Sequence, residues 1–268
     1  MTTKSLSALL DKMWLDYIAI NPLAKKISDL LLADGNTITN DHIALRTFNH
    51  SRVNINELAK PFLDSGYRYG GEYHFKEKKL YAKHYQHSDP KLPKIFISEL
   101  ATQNFSTELQ TTINQLIEQI PAGAENKFDF VSIGRPWKVT SEQYHNLMKE
   151  SDYAAWVSAF GYRPNHFTVF INDLKRFSDI NQLNDFLKKN GFKLNDSGGE
   201  VKGSKEVCLE QSSTLANNIE VSFEDKKLTI PACYYEFAKR YPLPDGNLYQ
   251  GFVAASADKI FESTKDGQ

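Results

Sequence analysis

The chain has 268 residues, of which 41% are hydrophobic and 24% charged, and 32 basic side chains nearly balance 33 acidic ones. This composition is typical of a globular protein, and the length allows one large domain or two half-sized units in close contact. The balanced charge argues against nucleic acid or an anionic membrane as the main partner. A small acid held in a local cationic pocket remains compatible with it.

The sequence shows no sign of membrane insertion, secretion or disulfide bonding. No apolar run approaches the ~20 residues that span a bilayer, and Asp11 and Asp16 interrupt the apolar N-terminal stretch, which is not typical of a secretory signal. The cysteines, Cys208 and Cys233, are too few for a disulfide framework or a cysteine-only metal site. We therefore expect a cytoplasmic protein whose two thiols are reduced and lie in the core.

The first fifty residues predict helices followed by a strand. Apolar positions recur at helical spacing through residues 4–33, where Pro22 interrupts the pattern. Polar and apolar side chains then alternate in DHIALRTF (41–48), and this strand-like alternation places His42 and Arg46 on one face. We expect these helices to precede the main fold as an N-terminal helical segment.

The residues after this strand predict a first β-α-β-β-β module. A helix begins at Asn54 and ends at Gly66. Three runs rich in aromatic and aliphatic residues follow. We expect strands at 67–75, 78–86 and 94–100.

Two connecting helices and a second module are predicted next. The helices cover 105–120 and 142–161, and the second module begins with a strand at 165–172. A helix at 178–191, capped by Ser178, follows that strand. The remaining elements are strands around GEVKG (199–203), KEVCLEQS (205–212), IEVSFED (219–225) and PACYYEFAKR (231–240), and a short C-terminal helix, ASADKIFES (255–263).

The two halves of the chain repeat one another, which indicates an internal duplication. Matching residues occur in the same order at an offset of 124 or 125 positions, and a last pair lies 137 positions apart, as a longer second loop region would produce. Chance supplies one such match far more readily than four in order. The matches pair Asp41 and His42 with Asn165 and His166, Ile55–Leu58 with Ile180–Leu183, Gly66 with Gly191, and Glu99 with Glu236.

The predicted fold follows from this duplication. A β-α-β-β-β module rolls its strands into a half-open trough, and two tandem modules side by side enclose one concave cavity. We expect an α+β protein that forms one compact catalytic domain with extra helices before and between the modules. Its expected parts are an N-terminal helical segment (1–36), the first module (37–103), a helical connection (104–161), the second module (162–245) and a C-terminal helix and tail (246–268).

Three side chains are expected to meet in this cavity as metal ligands. His42 and His166 stand at the same place in the duplicated strand, and Glu236 lies on the last strand of the second module. Two neutral imidazoles and one carboxylate suit iron(II) and leave open positions for substrate and oxygen, although zinc or manganese would also fit. A lone histidine on a strand is usually hydrogen-bonded or exposed, and the duplication is what favours ligands here.

Glu236 is the expected third ligand because it lies in the apolar run ACYYEF, where an unpaired carboxylate would be costly to bury. A salt bridge to a nearby arginine or lysine is the alternative compensation. Glu220 and Glu224 are weaker candidates for this ligand. His84 and Glu99 are further side chains that can face the cavity.

Arg46 is the expected substrate-binding and catalytic residue. It lies on the same strand face as His42, roughly 13 Å further along at ~3.3 Å per residue. A guanidinium there can hold a carboxylate bidentately, whereas its alternative role is an ordinary salt bridge at the edge of the trough. Lys202, Ser204 and Gln211 are further candidates for binding a carboxylate or orienting a substrate. The alternative is that they are exposed loop or strand residues with no role in binding.

Four segments together resemble the DUF1338 family, whose characterised members are 2-oxoadipate dioxygenase/decarboxylases distantly related to the vicinal oxygen chelate superfamily. The resemblance extends from about residue 38 to about residue 245, and its HxxxR and YYEF parts are the most specific. We expect this shorter chain to lack the additional segments of the longer bacterial members, so the resemblance implies nothing here about substrate contacts that those segments make. The four segments are DHIALRTF (41–48), KKLYAKHY (78–85) with PKIFISEL (93–100), VKGSKEVCLEQSST (201–214) and IPACYYEFAKR (230–240).

The resemblance implies a metal triad of His42, His166 and Glu236, with Arg46 binding the substrate. It also implies an iron(II)-dependent reaction in which 2-oxoadipate, or a similar 2-oxo dicarboxylate, reacts with O2, loses carbon dioxide and becomes 2-hydroxyglutarate. No separate 2-oxoglutarate cosubstrate would be needed. Arg46 would hold the distal carboxylate and select the carbon that faces the oxidant.

Two other functions are open to the same fold. The first is a metal-dependent isomerase or hydrolase. Isomerases of this superfamily usually carry four protein ligands, so Glu99 as a fourth ligand would favour that reading. The second is a non-catalytic module that binds a small acid, which predicts degraded ligand positions, whereas all three are intact here.

Overall fold

The chain forms a curved eight-stranded sheet, a separate two-stranded hairpin and eight helices in the computed structural model, which describes residues 3–261 and residue 263. Single 3-10 turns join several of these elements. In chain order the helices and strands are α1 (Thr3–Ile20), α2 (Pro22–Ala33), β1 (Asn40–Phe48), α3 (Ile55–Leu63), β2 (Arg68–Phe75), β3 (Leu80–Gln86), β4 (Lys94–Leu100), α4 (Thr107–Glu118), α5 (Ser141–Glu150), α6 (Asp152–Phe160), β5 (Pro164–Phe170), α7 (Ile180–Lys189), β6 (Lys202–Ser204), β7 (Leu209–Ser213), β8 (Asn218–Ser222), β9 (Lys227–Pro231), β10 (Glu236–Arg240) and α8 (Ala254–Phe261).

The large sheet has the strand order β2-β3-β4-β1-β5-β10-β7-β6, and its two halves repeat one topology. The first strand of each half, β1 or β5, lies at the centre of the whole sheet and pairs in parallel with the last strand of its half, β4 or β10. The two first strands, β1 and β5, pair antiparallel and join the halves into one trough. The prediction of two tandem modules in an α+β, half-open trough of the vicinal oxygen chelate type is confirmed.

The N-terminal helices identify the outer face of this trough. Trp14 and Tyr17 of α1 pack against the ring of Phe167 in β5, with ring centroids 5.0 and 5.1 Å apart. Neighbouring residues of a strand face opposite sides of a sheet. His166 therefore points to the concave side, where the site lies.

Two of the differences from the predicted helices are explained by capping residues. The helix expected over 142–161 is two helices, α5 and α6, because the extended backbone of Ser151 ends the first and its side chain caps the second. α7 is capped by Asp179 rather than Ser178, and the Asp179 carboxylate accepts the N–H of Gln182. A carboxylate at this position also interacts favourably with the positive end of the helix dipole.

The predicted strand IEVSFED (219–225) does not join the large sheet. β8 pairs with β9 in a hairpin inserted between β7 and β10. Alternate residues of β8 are exposed, whereas β10 is buried on both faces, as a strand inside a covered sheet must be. The hairpin accounts for the longer second loop region that the sequence comparison indicated.

No helix among the described residues is both long and apolar enough to cross a membrane. Both cysteines are free thiols, Cys233 buried and Cys208 partly exposed. Burial raises the pKa of Cys233, which keeps this thiol protonated.

Candidate metal centre

His42, His166 and Glu236 converge on the concave side of the trough, from β1, β5 and β10 respectively. Nε2 of His166 lies 3.1 Å from one Glu236 oxygen, and Nε2 of His42 lies 3.5 Å from the other. One ligand atom from each residue lies within 4.8 Å of the others, and all three side chains are buried. The structure therefore brings together the three residues that the duplication singled out.

The duplication also supplies a matching support for each imidazole. Asp41 and Asn165 precede the two histidines. Neither has a partner in the β1–β5 pairing, so each forms a local irregularity of its strand. Such bulges turn a side chain out of the regular alternation. The Asp41 carboxylate lies 2.8 Å from Nδ1 of His42, and the Asn165 amide oxygen lies 3.0 Å from Nδ1 of His166.

These contacts fix which ring nitrogen carries the proton. Asp41 and the Asn165 oxygen can only accept, so each Nδ1 donates and each Nε2 keeps its lone pair. Both lone pairs then face the oxygens of Glu236, which are acceptors too. The Thr168 hydroxyl, 3.0 Å from Nε2 of His42, has a single proton and can donate to only one of these acceptors. A divalent cation among the three groups satisfies all of them, and the residues present therefore fit a metal ion.

The carboxylate of Glu236 is itself held in place. Nε2 of Gln211, on the neighbouring strand β7, donates to Oε1 of Glu236 over 2.6 Å. Burial works to raise the pKa of Glu236, but the two imidazoles and Gln211 outweigh burial and the pKa is lowered. Burial lowers the pKa of His166, although Glu236 opposes the shift. A neutral His166 and an ionised Glu236 are the forms in which these two groups bind a metal.

The cavity beside these ligands is small and largely apolar. Its volume is about 20 Å³, room for about one water molecule. Phe252 packs edge-on against the His42 ring with centroids 4.8 Å apart, and Tyr234 stacks on His166 at 4.6 Å. Its lining consists of His42, Phe96, His166, Gln211, Tyr234, Glu236, Phe252, Ala257 and Ile260.

Arg46 lies on the concave face of β1 under helix α6. Its guanidinium carbon is 5.0 Å from the ring centroids of both Tyr153 and Trp156, and the side chain is buried. Its positive charge acts on the hydroxyl of Tyr234, where it counters the increase in pKa that burial causes. Arg46 is therefore a desolvated cation next to a residue that lines the cavity.

The other residues considered for substrate binding are placed differently. Gln211 lines the cavity, but its amide is engaged with Glu236. The ammonium of Lys202 donates to the main-chain oxygens of Asn195 and Glu200, and neither Lys202 nor Ser204 lines the cavity. A substrate-binding role for Gln211, Lys202 and Ser204 stays a prediction.

His84, also considered for the cavity, packs against the ring of Phe252 and does not lie among the three converging side chains. Nδ1 of His84 lies 2.9 Å from the hydroxyl of Tyr73, and its ring centroid is 5.2 Å from that of Phe252. Burial lowers the pKa of His84 to about 4. The ring is therefore neutral and part of the packing.

The match of Glu99 with Glu236 is wrong. Ala44 and Thr168 are equivalent in the duplication, and they pair with Phe96 and Glu236 respectively. Phe96 therefore occupies the position of Glu236 in the first module, and the three-residue shift turns Glu99 to the other face of β4. There Glu99 accepts the N–H of Ile55 at the start of α3.

Replacing Glu99 with Gln is expected to leave metal affinity within roughly threefold of the wild-type value, since the carboxylate lies outside the site. Glu236→Gln makes the same chemical change inside the site and should weaken binding by more than about 100-fold, beyond the range for residues that only support ligands. Titration with Co(II), followed by its visible absorbance, measures both. Equal losses in the two variants would contradict this assignment and restore Glu99 as a ligand.

A family model described as 2-oxoadipate dioxygenase/decarboxylase matches residues 21–247, which include both modules and all three converging residues. The chain belongs to this family. The resemblance noted in the sequence is thereby confirmed.

Three relatives illustrate membership of the 2-oxoadipate dioxygenase/decarboxylase family. The chloroplastic 2-oxoadipate dioxygenase/decarboxylase of Arabidopsis thaliana is 35% identical over an alignment 284 residues long, which covers 96% of this chain and 76% of that protein. Hydroxyglutarate synthase of Oryza sativa, crystallised with 2-oxoadipate, is 35% identical with a TM-score of 0.92, over 98% of this chain and 93% of that one. A Shewanella frigidimarina protein provisionally described as a hydrolase is 54% identical with a TM-score of 0.89, over 93% and 98%.

Sequence reasoning missed several residues of this family member's site. The residues before each histidine, Asp41 and Asn165, were part of the repeat, and polar residues at equivalent positions are the signal that could have assigned them a role. Arg240, which forms a buried ion pair with Asp41, lies four positions after Glu236 and therefore on the same face of β10, and this spacing is the signal that could have found it. No pattern in the sequence indicates that Phe252 closes the cavity, because it follows the last strand of the sheet in an irregular segment.

Proposed function

We propose that this chain is an iron(II)-dependent enzyme that converts 2-oxoadipate, or a similar 2-oxo dicarboxylate, and O2 into 2-hydroxyglutarate and carbon dioxide. The observation that carries the proposal is the convergence of two imidazole Nε2 atoms on a buried carboxylate, in a member of the 2-oxoadipate dioxygenase/decarboxylase family. The atoms balance without a second organic substrate. The first carbon leaves as carbon dioxide, one oxygen atom completes the new carboxylate at the second carbon, and the other becomes the hydroxyl on the third.

The three converging side chains would hold the iron. When bound, iron(II) supplies the electron-transfer chemistry that lets O2 react with a 2-oxo acid, and two histidines with one carboxylate are the ligand set of non-haem iron(II) oxygenases. Asp41 and Asn165 orient the imidazoles, and Gln211 orients the carboxylate. Their role is to present three ligand atoms on one side, so that the opposite side stays open to substrate.

The apolar lining of the cavity would exclude water during the reaction. Phe96 of β4 and, from the segment that follows β10, Phe252 and Ile260 line the cavity beside the ligands. A dry cavity protects reactive species from side reactions and strengthens the electrostatic contacts with the substrate. The lining therefore suits oxidative chemistry better than a reaction that uses bulk water.

Arg46 would bind the distal carboxylate of the substrate. The guanidinium is held between the rings of Tyr153 and Trp156 and is shielded from solvent, so a carboxylate reaching it gains a strong charge-assisted contact. With the 2-oxo acid end at the metal, this contact determines which carbon faces the oxidant. It also favours dicarboxylates over 2-oxo acids with an apolar end.

The proposed location is the cytoplasm. Two free thiols, one of them buried, are consistent with a reducing compartment. The Arabidopsis thaliana relative is chloroplastic, so family membership alone does not indicate the cytoplasm.

Oxygen consumption tests the proposal directly. The protein is loaded with Fe(II) anaerobically and mixed with 2-oxoadipate, and O2 is then admitted while O2 uptake, carbon dioxide release and 2-hydroxyglutarate are measured. We expect the three in equal amounts, with none in the metal-free protein. No uptake above that control, across 2-oxo acids of several lengths, would rule out the dioxygenase.

A hydrolase is the second candidate, favoured by the provisional description of the 54% identical Shewanella frigidimarina protein. Its water would have to reach a metal enclosed by apolar side chains. The same experiment separates the two, because a hydrolase turns over its substrate without O2. An isomerase with four protein ligands is disfavoured, since Phe96 occupies the position where a fourth ligand would lie.

A further inference from the structure

The cavity is closed by the segment that follows β10. We call residues 249–261 the closing segment, which contains Phe252 and helix α8. Helix α8 contacts both β2 and β6, the strands at opposite edges of the sheet, and so spans the open side of the trough. The cavity of about 20 Å³ beneath it is far below the ~300 Å³ or more of typical ligand sites. The closing segment must therefore move for a six-carbon acid to reach the ligands.

One buried arginine connects this segment to a metal ligand. Nε and one terminal nitrogen of Arg240 bind the two oxygens of Asp41, at 2.5 and 2.8 Å. The other terminal nitrogen donates to the main-chain oxygens of Tyr249 and Gly251, at 2.9 and 2.8 Å. Asp41 in turn accepts from Nδ1 of His42. A single guanidinium, 1% exposed, thus holds the support of His42 with one edge and the closing segment with the other.

We propose that Arg240 is a positioning residue that couples closure of the cavity to the orientation of His42. The inference rests on the proposed metal centre and adds to it a connection between substrate access and metal binding. When the closing segment lifts, Arg240 loses two acceptors and its hold on Asp41 is weakened, so the imidazole of His42 is less well fixed. The coupling is reciprocal: metal binding must favour closure by the same factor by which closure favours metal binding.

The two modules differ at this point, which argues that the connection has a role beyond holding an imidazole. In the second module the amide of Asn165 orients His166 without an arginine behind it among the described contacts. Orientation of a histidine in this fold therefore does not require an ion pair. The Asp41–Arg240 pair is buried, and a buried pair stabilises less than its contacts suggest. Its distinguishing feature is that it reaches the closing segment.

Hydrogen exchange of the closing segment, measured with and without Co(II), tests the coupling in the wild-type protein. We expect the bound metal to slow exchange of residues 249–261. In Arg240→Lys the ammonium cannot bind a carboxylate and two carbonyls with the same geometry. We expect its Co(II) affinity to be about 10-fold to 100-fold lower, the range for residues that orient ligands, and the metal to lose its effect on exchange.

Two further variants guard against a trivial result. Arg52→Lys is the matched control, because Arg52 also binds a carboxylate, that of Glu125, and several main-chain oxygens, but lies away from the site. It should change neither readout by more than roughly threefold. Asp41→Asn reproduces the arrangement of the second module and breaks the ion pair. If Arg240→Lys does not fold, the loss of metal-dependent protection in Asp41→Asn tests the same coupling.

Three outcomes would overturn the proposal. If Co(II) binds the wild-type protein without slowing exchange in the closing segment, the coupling does not exist, while the metal centre stands. If Arg240→Lys or Asp41→Asn keeps the metal-dependent protection, Arg240 does not transmit it. If Co(II) does not bind the wild-type protein at all, the metal centre fails, and the coupling fails with it.

Discussion

Replacing His166 with alanine is expected to lower the affinity for Fe(II) by more than about 100-fold and to abolish O2 uptake with 2-oxoadipate. Residues that only orient a ligand contribute 10-fold to 100-fold in metal affinity, so loss of a ligand should exceed that range. The remaining His42 and Glu236 cannot form a three-ligand face. Anaerobic Fe(II) titration measures the affinity, and oxygen consumption at saturating substrate measures the activity.

The matched control is His145→Ala, which removes an exposed imidazole from helix α5. It should leave both measurements within roughly threefold of wild type, since surface substitutions seldom change free energies by more than ~0.5 kcal/mol. Far-ultraviolet circular dichroism and a melting curve verify that both variants are folded. Retention of stoichiometric, tightly bound metal by folded His166→Ala would show that the assigned triad is incorrect.

Replacing Arg46 with methionine is expected to preserve metal binding and to impair the use of dicarboxylates. Removing one partner of a buried, hydrogen-bonded charge pair costs about 2–5 kcal/mol, so kcat/KM for 2-oxoadipate should fall by about 30-fold to 5,000-fold. Methionine fills much of the same volume and keeps an apolar contact with Tyr153 and Trp156. Steady-state kinetics with Fe(II)-loaded enzyme provide the measurement.

A second substrate makes this experiment selective. In 2-oxohexanoate a methyl group replaces the distal carboxylate, so a substrate bound through Arg46 should lose its advantage over 2-oxohexanoate in Arg46→Met. The ratio of the two kcat/KM values should therefore fall towards one, while Fe(II) affinity stays within roughly threefold. An equal loss for both substrates would indicate that Arg46 supports the architecture of α6 and β1 rather than the distal carboxylate.

Most of the fold was accessible from the sequence because the chain contains two copies of one module. The start of α3 was predicted correctly, because the capping hydrogen bonds of Asn54 are a local property, whereas the helix ends at Leu63, three residues before the predicted end at Gly66. The boundaries of the five expected parts stay predictions. The strand predicted at 219–225 was wrongly expected in the main sheet, because a strand with alternating exposure can pair within a hairpin as well as within a sheet.

The register of the strands could not be predicted from the sequence. Loop lengths differ between the modules, so counting residues aligned Glu99 with Glu236, whereas the pairing aligns Phe96 with it. A shift by an odd number of residues exchanges the faces of a strand, and this alone moved Glu99 from the expected cavity to the start of α3. Pairing across strands, which depends on contacts remote in sequence, places three rather than four of the candidate ligands together.

By itself the sequence determined the two modules and the histidines at their duplicated position, because repetition and alternation are properties of a single chain read along its length. Only the tertiary structure decided what surrounds them. Arg240 meets Asp41 across 199 positions of sequence, and Phe252 reaches His42 by folding back over the trough. Such contacts arise from how strands pair and how the closing segment packs, and neither leaves a periodic signal in the chain.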